Sequence, residues 1–445
     1  MVQFAPSPRR VALVAGIRTP FVRSGTSFDD LTAVELGGMA VKELVARHDL
    51  DGNAVDELIF GTVIPSVARP NIAREVVFEA GLPMHVPASS VVMACASSNR
   101  AITDAAERIA LGIADVVIAG GSECLSDIPV LFSRKFTRRL MRLSKSKSAG
   151  AKAKVFAGFR LAELAPNPPA IAEYTTGLSM GQSAEKMAKE NGISRAAQDE
   201  LALRSHQRAA AGWDAGVLRS ETFPVPIPPK YEAMETTDNN VRRDSSLEQM
   251  AKLKPVFDRE YGSVTAANAS PLTDGASAVL LMSEDRARAE GRRPLAYLRS
   301  WAYSGLDPSD QLLQGPAYAA PIALDRAGLK LSDMGRIEMH EAFAAQVLSN
   351  LQAFASAAFA REKLGRGEPL GEVDPLILNV YGGSIAIGHP FAATGARLVT
   401  TLANELVRSG KQFGLLTVCA AGALGHAMVL ENAGGNASLP LAPAE

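Results

Sequence analysis

The sequence predicts an α/β fold of sheets layered with helices, and three observations predict it. Short apolar runs alternate with longer amphipathic ones, the pattern of strands covered by helices. The two ends of the chain echo each other: residues 91–121 read strand, turn with Cys95, helix and DVVIAGG, and residues 376–422 read strand, turn with His389, helix and FGLLTVCAAG. Such an echo points to duplicated halves meeting at a shared site. Between them lies a stretch of different character, with ten Lys or Arg and no acid from Ser133 to Arg160.

Taken in order, Val11–Gly16 reads as a buried strand and Leu31–Arg47 as a helix, with Leu31, Val34, Met39 and Val41 at helical spacing. Glu57–Ile64 is a second strand, Ala101–Leu111 a helix and Asp115–Ala119 a third strand. Proline clusters at 166–169 and 224–229 cannot continue a helix, and Ser183–Trp213 between them reads as long, helical and polar. A strand is expected from Leu376, a helix over Ala396–Arg408 and a strand over GLLTVC. The expected division is a first half of residues 1–124 with 272–290, an inserted loop domain of 125–271, a second half of 291–434, and a disordered tail of 435–445.

Composition narrows the class. A chain of 445 residues with 47% apolar and 21% charged residues can bury a large core. A net charge of −1 gives no reason to expect nucleic acid. Three cysteines suit a reducing compartment better than a disulfide framework. No apolar run reaches the ~18 residues of a membrane span, and the N-terminal run reads as a strand rather than a leader. The expectation is a cytoplasmic protein, or one of the mitochondrial matrix in a eukaryote.

Five residues could carry chemistry. Cys95 lies where an apolar strand meets a helix, and the helix dipole there favours thiolate; the alternative is a small packing cysteine. His389 follows glycines that let the backbone turn sharply, and Pro390 bars αR at the histidine; the alternative is a hydrogen-bonded structural histidine. A phosphate loop is the poorer reading of that stretch, with no Gly-Lys-Ser/Thr following. Cys419 ends a strand before small residues, and His340 with Glu341 sits where a short strand meets a helix. Two thiols and an imidazole are the parts of covalent acyl chemistry, and further donors could stabilise an oxyanion. No C-x-x-C or H-x-x-x-H spacing suggests a metal.

Together VVMACASS, TAANASPLTDGASA, MHEAFAAQ, GGSIAIGHP and CAAGALGHAMVLE resemble the thiolases, in order and over nearly the whole chain. His in HEAF and the basic insertion look most like the thiolase subunit of fatty-acid β-oxidation complexes, the trifunctional β-subunit kind. The resemblance implies the thiolase fold, two βαβαβαββ halves in a five-layered α-β-α-β-α core. It implies Cys95 as the acylated nucleophile, His389 as its base and Cys419 as the acid/base at carbon. One oxyanion hole would be built by His389 and His340, the other by the N–H groups of Cys95 and Ala421. Ser270 would lie near the pantetheine and Arg242 near the nucleotide of coenzyme A. Ala421 and Ala423 replace glycines of the usual pattern, His426 a small residue, and Ala392 and Thr394 a Gly and a Ser, which leaves the acyl-pocket shape open.

The activity so implied is thiolytic cleavage of 3-ketoacyl-CoA, with coenzyme A as substrate and no permanently bound cofactor or metal. A biosynthetic acetoacetyl-CoA thiolase and a decarboxylating ketoacyl synthase are the alternatives. The family assembles as dimers or dimers of dimers. The basic segment 133–160 could dock a hydratase/dehydrogenase subunit or an anionic membrane surface, or could be a solvated helix pair.

Overall fold

The structure is a computed structural model describing residues 8–166 and 172–434. Five strands form the sheet of the first half: β1 Val11–Arg18, β2 Glu57–Gly61, β3 Ala88–Val91, β4 Val116–Glu123 and β5 Thr273–Ser283. Their spatial order is β3-β2-β4-β5-β1. β2 runs parallel to β3 and β4, whereas β5 runs antiparallel to β4 and β1. The second half contributes β6 Ala296–Gly305, β7 Arg336–Met339, β8 Phe413–Ala420 and β9 Leu424–Asn432, in the order β7-β8-β9-β6. β7 and β8 are parallel and the other two pairs antiparallel, so the second half repeats four of the five strands of the first in the same order.

One place in that repeat is nearly vacant of strand. The strand expected from Leu376 is reduced to a single parallel bridge between Leu378 and Ile337, at the position β3 holds in the first half. Pro375 has no N–H for a ladder, and Asn379 turns the backbone away at φ 46°. The Asn379 side chain replaces the missing neighbour: Oδ1 accepts from Met339 N at 2.8 Å and Nδ2 donates to Met339 O at 3.0 Å. The two halves join where β1 meets β6, through Ala12 opposite Tyr297 and Leu13 opposite Ala296.

Helices complete five layers. α1, Ala33–Arg47, starts at a capping box of Thr32 and Glu35 and packs Leu36, Val41 and Leu44 over Leu58, Phe60 and Leu280. α2, Ser97–Ala110, lies between the halves. α3, Gly315–Ala327, and α4, Ala344–Ala355, cover the far face of the second half, where Leu324, Val347 and Phe354 meet Ile337, Leu415 and Val429. α5, Thr394–Ser409, shares the middle layer with α2: Ile102, Ile109, Leu398 and Leu402 are buried with Val117 and Leu281 of one half and Val418 and Met428 of the other.

The long helical stretch expected over Ser183–Trp213 is two helices, Met180–Glu190 and Arg195–Asp214. Gly192, at φ 64°, ends the first and Ser194 caps the second. The region between β4 and β5 is tied to the core through Arg18 on β1, which is fully buried. Its guanidinium pairs with Glu221 at 2.8 Å and Asp238 at 2.7 Å. The basic segment forms two helices, Arg134–Lys145 and Ala149–Val155, neither with a buried residue. No helix among the described residues is long and apolar enough to cross a membrane. The tail 435–445 and part of the first proline cluster lie outside the described residues.

Candidate active site

Cys95 sits in a single 3-10 turn, Ala94–Ala96, between β3 and α2. The turn is sharp because Ala94 takes φ 46°, a left-handed value that strains any residue with a Cβ. Ser97 holds it there: its Oγ accepts from Met93 N at 2.8 Å and donates to Ala94 O at 2.7 Å. The chain therefore presents the thiol at the head of a helix.

His389 is brought in from the second half by the equivalent turn. Gly388 adopts φ 116°, and a Cβ there would meet Thr273 at 2.7 Å, so only glycine fits. A parallel bridge to Leu272 fixes the backbone of His389. Pro390 follows, then a 3-10 turn and α5. The imidazole is clamped at both nitrogens, with Nδ1 2.6 Å from Thr394 Oγ1 and Nε2 3.1 Å from Cys95 Sγ.

His340 follows β7, its N–H donating to Thr417 O at 2.9 Å. Its ring centroid lies 4.2 Å from that of His389. Nδ1 meets Ser384 Oγ at 2.9 Å, and Nε2 has no hydrogen-bond partner among the described residues although it is buried. Glu341 turns the other way. It accepts from Ser205 Oγ, Asn379 Nδ2 and Ile385 N, and a Cβ on Gly383 would strike its carboxylate at 2.3 Å. So of the pair at this strand-to-helix junction, His340 turns toward His389 and Glu341 braces the glycine-rich loop.

Cys419, near the end of β8, is buried close enough to Cys95 for ionisation of the two thiols to be coupled. The loop after it carries Gly422 at φ 81° and Ala423 at φ 55°, whereas Ala421 stays out of the left-handed region. The alanine at 421 therefore costs the loop no backbone strain. Arg242 lies apart from this cluster, in a cleft of about 420 Å³ also lined by Arg23, His206 and Ile385. His206 Nδ1 accepts from Arg242 N at 3.2 Å. Ser270 lies between two lining residues, Ala269 and Pro271, its N–H bonded to Ala342 O at 2.9 Å.

Electrostatics reverse one expectation. The helix dipole was expected to favour a thiolate at Cys95, yet burial pushes the thiol up to about 12. The Ala421 and Cys95 N–H groups pull it down by less, and Glu123 adds to the rise. As a residue Cys95 keeps intermediate exposure, and the protein packed round its side chain outweighs the two N–H groups. Burial, with help from Arg397, holds His389 down to about 3. Cys419 is pushed well up by burial and then by Cys95, and His340 well down by burial, His389 and Arg397. The resting site is thus a set of neutral thiols and imidazoles.

Cys95, His340 and His389 also offer donor atoms within 4.8 Å of one another. They come from three distant segments, so the absence of ligand spacing in the sequence does not bear on this set. Ser384, Thr394 and Ser97 escaped the sequence reading as supports of the site. For Thr394 the available signal was a hydroxyl at the start of the helix, five positions after His389.

Known proteins match along this whole arrangement. The model of the thiolase N-terminal domain matches residues 11–285, and that of the thiolase C-terminal domain residues 292–432. A 3-ketoacyl-CoA thiolase of Yersinia pestis (strain Pestoides F) is 53% identical over 422 residues, 95% of this chain and 97% of that one. A human mitochondrial 3-ketoacyl-CoA thiolase superposes with a TM-score of 0.80 at 31% identity, covering 95% of this chain and 99% of that one. The Bacillus anthracis acetyl-CoA acetyltransferase does so with 0.82 at 31%, over 96% and 100%. The two sheets, their shared central helices and the paired turns that meet at Cys95 and His389 are the thiolase fold, and the chain belongs to the thiolase family.

Proposed function

We propose that the protein is a 3-ketoacyl-CoA thiolase, and the observation that carries this is the 3.1 Å contact of Cys95 Sγ with His389 Nε2, beside a second buried thiol. Cys95 attacks the 3-keto carbon while His389 takes its proton. Because both groups rest neutral, the proton moves as the S–C bond forms rather than before it. The keto oxygen becomes an oxyanion held by the N–H groups of Cys95 and Ala421, and its collapse breaks the bond between C2 and C3 as the enolate oxygen of the leaving acetyl-CoA meets His340 and His389. The Cys419 thiol protonates the departing carbanion, releasing acetyl-CoA and leaving an acyl group on Cys95. In the second half-reaction coenzyme A gives its thiol proton to the Cys419 thiolate and attacks the acyl carbon. The N–H groups of Cys95 and Ala421 stabilise this second oxyanion, and His389 returns its proton to the Cys95 sulfur.

Coenzyme A is the substrate of this cycle, and no resident cofactor takes part in it. The cleft beside Arg242 and Ser270 suits its nucleotide and pantetheine, within an inserted domain of residues 125–271 that separates halves 1–124 with 272–290 and 291–434. The test is thiolysis of C4 to C16 3-ketoacyl-CoAs, with trapping of a radiolabelled acyl-enzyme. Cys95→Ser should abolish the label, and a persistent label would sink the assignment.

A homodimer is favoured by the open edge of β3 and the exposed Val67, Met84 and Val92 on that side. Light scattering at micromolar concentration, which should give twice the chain mass, tests it. The basic hairpin, with exposed Phe132, Met141 and Phe156, supports docking of an anionic membrane or partner subunit. Pelleting with phosphatidylserine vesicles that fades in salt would distinguish the membrane. Three free thiols favour a reducing compartment.

A further inference from the structure

His340 Nδ1 meets Ser384 Oγ, and the same hydroxyl oxygen accepts from Arg397 Nη2 at 3.2 Å. Ser384, Arg397 and His340 are all fully buried. A guanidinium can only donate, so one lone pair of Ser384 Oγ is committed to accepting. The hydroxyl has one hydrogen and, among the described residues, one remaining partner, which is His340 Nδ1. If that nitrogen accepts, the hydroxyl hydrogen is used; the opposite tautomer would leave it without a partner in a fully buried place, which favours the ring hydrogen of a neutral His340 on Nε2. Arg397 is itself oriented by Glu338, whose Oε2 lies 3.4 Å from Nη1. Direction thus passes from Glu338 to Arg397, then Ser384, then His340.

We infer that Ser384 and Arg397 are positioning residues that lock His340 as its Nε2–H tautomer, so that it presents a hydrogen-bond donor toward His389 and Cys95. The unpartnered Nε2 is the end left free for a developing oxyanion. Burial, which keeps the ring neutral, makes the tautomer the property that decides whether that end donates or accepts. The catalytic consequence rests on the thiolase reading above; the tautomer itself does not.

The test uses the full-length enzyme labelled with ¹⁵N-histidine. Two-bond ¹H–¹⁵N correlation spectra of the resting protein, with His340 assigned by His340→Asn, should show the Nε2–H pattern. An Nδ1–H pattern overturns the inference whatever the enzyme catalyses. Ser384→Ala should lower kcat about ten- to a hundredfold, less than the ~10²–10³ expected for loss of the donor itself, with KM within about twofold. Ser384→Thr, which keeps the hydroxyl, should restore most of it. If Ser384→Ala keeps full kcat while Cys95→Ser is dead, the positioning role fails and the thiolase reading stands.

Discussion

Nε2 of His389 lies 3.1 Å from the sulfur of Cys95, and burial leaves the first as a weak base and the second as a weak acid. An ion pair between them would be unfavourable at rest. On the mechanism proposed above the site depends on substrate: charge forming on the substrate's oxygens would have imidazole donors as well as the two backbone N–H groups that are all a lone thiolate has.

Alkylation of the free enzyme reads this directly. Iodoacetamide should modify Cys95 slowly at neutral pH, with a rate still climbing above pH 9, as expected for a thiol pushed up to about 12. A plateau reached below pH 8 would show a preformed thiolate–imidazolium pair and overturn the neutral resting state.

Removing Cys419 should slow both halves of the reaction while sparing the first thiol. Cys419→Ala is expected to lose thiolysis by about 10²–10⁴, the usual weight of a general acid. Cys95 should still be alkylated as before, while acyl exchange with coenzyme A, deprived of the Cys419 thiolate as proton acceptor, slows as well. If cleavage and exchange fell together with Cys95 reactivity, the substitution would have damaged the first thiol rather than removed a proton donor.

Arg18 should matter to stability far more than its place outside the active site suggests. Arg18→Met leaves Glu221 and Asp238 buried without their cation. Loss of one partner of such a group costs about 3–5 kcal/mol. Urea unfolding at pH 7.5, followed by circular dichroism, gives the shift; a change under 1 kcal/mol would mean that the acids are rescued by water.

Acid sensitivity has an identifiable contributor in His426. The ring is fully buried, with Nδ1 3.1 Å from Ala302 O, and burial holds it down to about 3 from 6.5. Below pH 6.5 the unfolded chain takes up a proton that the folded one refuses, so stability falls as pH falls. Between pH 6.5 and 5 this amounts to about 2 kcal/mol. His426→Asn should remove that slope, narrowing the loss of Tm on going from pH 7.5 to 5; an unchanged loss would assign the slope to other groups.

Much of this was legible in the sequence because strand ends and helix starts mark themselves. Cys95, His389 and Cys419 each lie at such a junction, and the duplicated architecture followed from the echo around the first two. Other features were hidden for physical reasons. The dipole argument at Cys95 was local, whereas burial of its side chain is a property of both halves packed together. The strand at 376 failed because the Asn379 side chain substitutes for backbone pairing, which periodicity cannot register. Thr394 and Arg397 stand three apart on one face of α5, spacing that marks a shared direction but not the histidines they serve.

The repeated strand order also bears on how the protein could be divided. A cut at Gly291, between the helix Glu284–Ala289 and β6, would part the thiol of Cys95 from the imidazole of His389. Each half-enzyme would bare the greasy side of one middle-layer helix, α2 or α5, whose natural cover is the other fragment. The same burial that keeps thiol and imidazole uncharged would then drive reassembly, making the reaction itself a reporter of fragment complementation.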